Sequence, residues 1–309
     1  MTLLFVSDFD PAGRWRQALI DERPSLPVRV HPEAGDPADI RYALVWKPPA
    51  GLLAGLPNLE VIFSLGAGVD GILTDTAVPK DKPLVRMVSD GLTSDMVEYV
   101  VCHVLRWHCQ VELHADQQAR REWNPHRRKT ASETVIGILG LGVLGTAAAQ
   151  ALVPFGFSVR GWSRGPKQVD GVDCYAGQDQ LSDFLSTCDV LVCLLPLTPQ
   201  TEGILNAETF GWLPEGAYLI NAARGGHLVE EDLIPALESG SLLGATLDVF
   251  RTEPLPEDHP FWSRKAITIT PHDASLTPVA SGARHVANQI DRYEQGLPLE
   301  HLVDFERGY

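Results

Sequence analysis

A largely apolar run, TVIGIL at 134–139, leads straight into Gly140-Leu141-Gly142-Val143-Leu144-Gly145, and the residues that follow, to about 155, are helix-forming. The G-x-G-x-x-G spacing says little by itself. At the junction of a strand and a helix it specifies a corner: one glycine makes the tight turn, one lets a ligand approach the backbone, and one packs the helix against the strand. The helix then opens with unpaired N–H groups and its positive dipole end, which suits a pyrophosphate. Gly140, Gly142, Val143, Leu144 and Gly145 are therefore candidate residues of a dinucleotide site.

The second strand of such a unit ordinarily ends in an acid that accepts from the adenine ribose 2′-OH. Here SVRGWSR (158–164) ends in Trp162-Ser163-Arg164, with Lys167 close behind. A carboxylate would repel a 2′-phosphate, whereas a hydroxyl and a guanidinium bind one. The strand end therefore predicts NADP(H) as the preferred cofactor, with NAD(H) as second choice. The competing reading leaves Arg164 solvated and lets Asp170 or Asp173 serve NAD.

The rest of the chain repeats the same alternation. Apolar runs at 3–6, 28–30, 43–46, 59–65 and 85–88 are separated by polar, Pro-containing breaks, and residues 11–23 can form a helix. After 134 come VLVCLLP, YLINAARG, GATLDVF and AITITPH. Nearly continuous apolar strands are expected where helices cover both faces of a parallel sheet. Residues 93–123 contain no Gly or Pro, which predicts one long helix, with Ser94 and Asp95 as caps and Glu98 in the first turn. Residues 278–295 read as a final helix that returns to the first domain. At 309 residues the chain exceeds what one core usually holds, and the boundaries are read as 1–98 with 275–309, and 99–274.

A net charge of −15 argues against a nucleic-acid partner. Five cysteines without a C-x-x-C pair suggest neither a zinc site nor a disulfide framework, and fit a reducing compartment. The N-terminal MTLLFVSDFD has no basic segment before its short apolar run, and no stretch has the length of a membrane span. The reading is a cytoplasmic protein with a small-molecule substrate and neither a metal nor a membrane partner.

In an open α/β sheet the ligand site lies at the carboxyl ends of the strands. Three polar residues follow such strands: Arg224 beside Gly225 and Gly226, Glu253 in a Pro-rich segment, and His272 after Pro271. A planar fork of donors suits a 2-oxo acid, and a histidine whose far nitrogen meets a glutamate keeps a proton to deliver. Each residue alone would more readily be structural. Their order along the chain is what points to chemistry. Small residues at 64–70 can form an anion nest, or an ordinary strand-to-helix turn. Trp46 and Lys47 are either the mouth of a substrate site or a packed aromatic and a surface amine.

With these segments in place the chain resembles the D-isomer-specific 2-hydroxyacid dehydrogenases, in their glyoxylate/hydroxypyruvate reductase A branch. The match runs through Ser64-Leu65-Gly66-Ala67-Gly68-Val69-Asp70, 137–145, Trp162-Ser163-Arg164, 194–201, 216–225, 244–250, Glu253-Pro254-Leu255-Pro256 and 268–272. The resemblance implies two doubly wound α/β domains with parallel sheets, a Rossmann dinucleotide-binding domain and a flavodoxin-like substrate domain. It implies NADPH-dependent reduction of a small 2-oxo acid. Arg224 would bind the oxo acid, His272 donate the proton and Glu253 orient it. The backbone at Leu65, Gly66, Ala67 and Gly68 would hold the substrate carboxylate, and Asp248 the nicotinamide carboxamide. Pro196 and Thr198 would line the nicotinamide ribose, with Leu195, Ala222 and Lys167 also in the cofactor set. It implies a homodimer packed through the second domain. Asp273 departs from the branch pattern and disfavours bulkier anionic substrates. A formate-type dehydrogenase is disfavoured by Ser163-Arg164, and the rival of another class is an NAD(P)H-sensing binding protein on the same fold.

Overall fold

A computed structural model describes the chain from Met1 to Tyr309. It contains two compact units, Met1–Leu92 with Leu276–Tyr309, and Thr93–Ser275. The first is built from β1 (Thr2–Val6), α1 (Ala12–Glu22), β2 (Val28–Val30), β3 (Ile40–Val45), β4 (Val61–Ser64), α2 (Asp70–Leu73) and β5 (Leu84–Val85). Its five strands are all parallel, in the order β2-β1-β3-β4-β5, which is the flavodoxin-like winding. Alternate residues of each strand feed opposite faces. Leu3, Phe5, Tyr42, Leu44, Val61 and Phe63 join one core, and Leu4, Val6, Ala43, Val45 and Ile62 the other. Covering both faces is why these strands are apolar without alternation.

The second unit contains the greater part of α3 (Asp90–His108), then α4 (Val111–Arg120), β6 (Val135–Leu139), α5 (Val143–Leu152), β7 (Ser158–Ser163), β8 (Val172–Ala176) and α6 (Leu181–Leu185). It continues with β9 (Val190–Cys193), α7 (Ala207–Trp212), β10 (Ala217–Asn221), α8 (Glu230–Ser239), β11 (Leu242–Leu247) and β12 (Ile267–Ile269). These seven strands are also parallel, in the order β12-β11-β10-β9-β6-β7-β8. The winding reverses between β6 and β9, where such sheets bind dinucleotides. One face packs Ile136, Ile138, Val190 and Val192 against α3 and α5, and the other packs Leu191, Cys193, Leu219 and Leu247 against α6 to α8. The last helix, α9 (Val279–Glu294), returns to the first unit, where Ala283, Val286 and Ile290 meet Trp15 and Leu19 of α1. No helix is long and apolar enough to cross a membrane.

Two expectations are corrected. The stretch 93–123 is two helices, broken at Cys109 and Gln110, with Gln110 left-handed at φ 57°. Such a turn costs a non-glycine residue on the order of 1–2 kcal/mol, which tertiary anchoring outweighs. The His108 ring meets Phe157 edge-on at 5.0 Å, and buried Gln117 holds Asn124 O and His126 across the next segment. Absence of Gly and Pro was therefore no guarantee of continuity. The helix also starts earlier than Ser94. Ser89 Oγ accepts from Leu92 N–H at 3.3 Å, so Ser94 and Asp95 lie inside the helix rather than at its cap. β8 was not anticipated, because VDCYA is an edge strand with only Val172 buried.

Candidate active site

The glycine corner of the second unit divides its labour clearly. Gly140 turns at φ +103°, and a Cβ there would lie 2.7 Å from Leu194 O. At Gly145 a Cβ would lie 1.8 Å from Gly140 O, so this glycine lets α5 close onto the loop. At Gly142 nothing stands within 4 Å. The middle glycine is therefore not required by packing, and its bare face at the start of α5 is space a pyrophosphate can use. Val143 and Leu144 form the first turn of α5, whose amides have no acceptor within the helix.

At the end of β7, Trp162 is buried and its indole N–H donates to Gly177 O at 2.9 Å. Ser163 Oγ donates to Gly165 O at 2.8 Å, which shapes the turn that presents Arg164 to solvent. Lys167 Nζ donates to Leu141 O, in the glycine loop itself. Two cations and a hydroxyl thus lie between the end of β7 and the glycine loop, and no carboxylate ends the strand. Asp173 is paired with Arg160 three positions short of the Ser163–Ala176 pair, roughly 10 Å along the strand. It is an exposed residue of an edge strand.

Buried Leu195 leads into the turn that carries Pro196 and Thr198, fastened by Thr201 Oγ1, which donates to Pro196 O at 2.7 Å. Thr198 N–H donates to the same hydroxyl at 2.9 Å. Ala222, just past β10, is also buried. His227, fully buried, ties this turn to the next: its Nδ1 lies 3.2 Å from Arg224 N and its Nε2 3.3 Å from Pro196 O. Nδ1 also lies 3.1 Å from Arg224 O, so the amide and the carbonyl of Arg224 both face the same ring nitrogen.

Arg224, Asp248 with Glu253, and His272 follow the adjacent strands β10, β11 and β12. The turns pack without space between them, since a Cβ at Gly225 would lie 1.9 Å from the carbonyl carbon of Phe250. Arg224 donates from its guanidinium to Ala223 O at 2.6 Å. Glu253 accepts from Phe250 N–H at 3.1 Å through one oxygen and meets His272 Nδ1 at 2.9 Å through the other. Nε2 is thus the nitrogen of His272 left for a reacting group. Asp248, 1% exposed, accepts from Thr270 Oγ1 (2.6 Å) and Asp273 N–H (3.0 Å) at Oδ1, and from Ala274 N–H (3.1 Å) at Oδ2. A carboxylate offers about four lone-pair sites, so one, on Oδ2, remains for a carboxamide. His227, Thr270 and Tyr99, whose hydroxyl lies 2.8 Å from Thr270 Oγ1, were not singled out from the sequence. Nothing in their local pattern distinguishes them from core residues.

In the first unit, Trp46 lies against the turn after β4, where a Cβ at Gly66 would be 2.6 Å from its ring. Ser64 Oγ accepts from Gly66 N–H at 3.2 Å and donates to Gly68 O at 3.3 Å. Leu65 O accepts from Thr277 Oγ1 at 2.6 Å. With the Gly66 amide occupied, an anion nest here falls to Ala67 and Gly68. Lys47, at φ +44°, carries its amine 5.9 Å from the Trp46 ring centre.

Residues 101–274 match the family described as D-isomer specific 2-hydroxyacid dehydrogenase, NAD binding domain. Over the full length of both chains the sequence is 45% identical to a glyoxylate/hydroxypyruvate reductase A of Serratia proteamaculans and 44% identical to that of Yersinia enterocolitica. Among solved structures, a D-isomer specific 2-hydroxyacid dehydrogenase of Xanthobacter autotrophicus with NADPH and MES is 42% identical. It superposes with a TM-score of 0.96, covering 100% of this chain and 99% of that one. An NADPH-dependent glyoxylate/hydroxypyruvate reductase of Sinorhizobium meliloti with NADP and sulfate is 40% identical, with a TM-score of 0.94 over 100% of both chains.

Proposed function

The chain belongs to the D-isomer specific 2-hydroxyacid dehydrogenases, and from that premise we propose that it reduces glyoxylate and hydroxypyruvate with NADPH. The observation that carries this reading is the Glu253–His272 pair at 2.9 Å, formed after β11 and β12, of which β11 adjoins the strand that Arg224 follows.

When bound, NADPH supplies a hydride to the 2-oxo carbon. Arg224 orients the oxo acid and polarises its carbonyl through a planar fork of donors. His272 delivers its Nε2 proton to the oxygen as negative charge develops there, so that hydride and proton together yield the 2-hydroxy acid. Glu253 holds the ring through Nδ1 and compensates its positive charge. Asp248 gives its remaining lone pair to the carboxamide, and Pro196 and Thr198 line the ribose. Arg164 and Lys167 take the 2′-phosphate, beside the Ser163 hydroxyl that shapes their turn. In the first unit, the amides at Ala67 and Gly68 form the anion nest of this reading.

The enzyme works as a cytoplasmic homodimer in this reading. Its second unit exposes Trp123 (99%) and Val111 (45%) on and after α4, apolar surface of the kind that subunit contacts cover. The test is consumption of NADPH with glyoxylate, hydroxypyruvate and larger 2-oxo acids, in the wild type and in His272→Asn. Turnover with the two small acids and loss of at least about 10²-fold in the variant are expected. NADPH binding without turnover on any acid would favour a sensor, and an active His272→Asn enzyme would remove His272 from the acid's role.

A further inference from the structure

His272 occupies a backbone conformation that side chains rarely adopt, φ +56°. Something must hold the loop there, and the fastening is visible. His272 N–H donates to Asp248 O at 2.9 Å, and the next two amides, Asp273 and Ala274, are clasped by the two oxygens of the Asp248 carboxylate at 3.0 and 3.1 Å. On the other side of the histidine, Thr270 N–H donates to Leu247 O, and its hydroxyl donates to Asp248 Oδ1 at 2.6 Å.

The Thr270 hydroxyl has one proton and the carboxylate takes it. Tyr99 OH, 2.8 Å from Thr270 Oγ1, must then be a donor, so the chain runs Tyr99 to Thr270 to Asp248. Tyr99 lies on α3, 171 residues away in sequence. Burial pushes its phenol above the ordinary range, and the Asp248 and Asp273 charges push it the same way, so the donor stays protonated. Its ring lies 4.3 Å from that of His103, whose Nδ1 is 3.4 Å from Thr246 Oγ1 on β11, so the tyrosine is itself fixed. Three of the four lone pairs of Asp248 thus serve the loop.

We propose that Tyr99 and Thr270 are positioning residues for the proton-donating histidine, aligning His272 through the Asp248 carboxylate without touching substrate or cofactor. This rests on the reading of His272 as the acid. Removing the Thr270 hydroxyl leaves Asp248 Oδ1 with a single partner and loosens the carboxylate that clasps the loop. A donor displaced by about 1 Å loses proton-transfer efficiency while the binding surfaces persist.

The experiment compares Thr270→Val, Thr270→Ser, Tyr99→Phe and the Tyr99→Phe/Thr270→Val double variant. Each is assayed for kcat and KM with glyoxylate and for NADPH Kd by fluorescence, with thermal melts alongside. Thr270→Val should lower kcat at least tenfold while KM and the NADPH Kd stay within about twofold, and Thr270→Ser should restore kcat to within about threefold. Tyr99→Phe should lower kcat about threefold to fivefold, and the double variant should be no worse than Thr270→Val, because the two hydroxyls form one chain. Should Thr270→Val not fold, Tyr99→Phe, which keeps every Asp248 contact, still decides: a wild-type kcat there overturns the proposal. So does a Thr270→Val effect confined to NADPH Kd, a failure of serine to rescue, or additive losses. If His272→Asn is fully active, the acid reading itself has failed. If it is inactive while the Thr270 and Tyr99 variants behave as wild type, only the positioning role has.

Discussion

Gly142→Ala and Gly145→Ala should separate cofactor binding from folding, although both replace a glycine of one six-residue motif. At Gly142 the backbone is at φ −74°, ψ −164°, which alanine adopts freely, and nothing stands within 4 Å of the added methyl. Reduced freedom of the unfolded chain stabilises the alanine by about 0.4–1 kcal/mol, and the poorer N-cap offsets it by a similar amount. Tm should therefore stay within about 3 °C. The methyl, however, occupies space beside the α5 amides where the pyrophosphate must lie. A clash costing about 1–3 kcal/mol weakens NADPH binding by roughly 5- to 150-fold. At Gly145 the methyl meets Gly140 O at 1.8 Å, and backbone must yield by more than about 1 Å. That variant should lose both stability, by several degrees of Tm, and cofactor binding. Fluorescence titration of NADPH and thermal melts of the apo proteins measure both. Gly142→Ala binding NADPH like the wild type, or losing as much Tm as Gly145→Ala, would refute the assignment of the open face to the pyrophosphate.

Ser163→Asp combined with Arg164→Ala should move preference from NADPH towards NADH by at least tenfold in kcat/KM, because a carboxylate at the end of β7 repels a 2′-phosphate and accepts from a 2′-OH. Unchanged cofactor ratios would show that this strand end does not read the ribose. Arg224→Lys keeps the charge but loses the planar fork, and should reduce kcat/KM for glyoxylate about 10²-fold; near-normal turnover would place the oxo acid elsewhere. Burial lowers the affinity of His103 and His285 for a proton, with Arg106 and His301 respectively adding to the effect. The unfolded chain then binds more protons than the folded one below the ordinary histidine value of about 6.5, so stability falls as pH drops through that window. Melts between pH 7.5 and 5 should show a loss that His285→Gln makes shallower; an unchanged slope would assign the loss to other groups.

Much of the architecture could be read locally. Strands buried on both faces must be continuously apolar, so β6, β9, β10 and β11 announce themselves in TVIGIL, VLVC, AYLIN and LLGATL. The missing acid at Ser163-Arg164 is likewise a fact of composition, and the structure of its turn does not change its sign. The residues Arg224, Glu253 and His272 could be read as an order along the chain but not as contacts. A hydrogen bond between Glu253 and His272 depends on β11 and β12 being neighbours, which the strand order decides.

What local sequence determined, then, is the period, the turn chemistry and the charge at each strand end, because these depend on a residue and its near neighbours. Only the tertiary structure decided that Gln110 would break α3 from α4, that VDCYA would form an edge strand, and that His227 would bridge two turns. It alone brought Tyr99 to Thr270 and directed that chain to Asp248. Those outcomes follow from contacts between residues far apart in sequence, whose free energies exceed the one or two kilocalories by which local preference favours an unbroken helix or a right-handed residue.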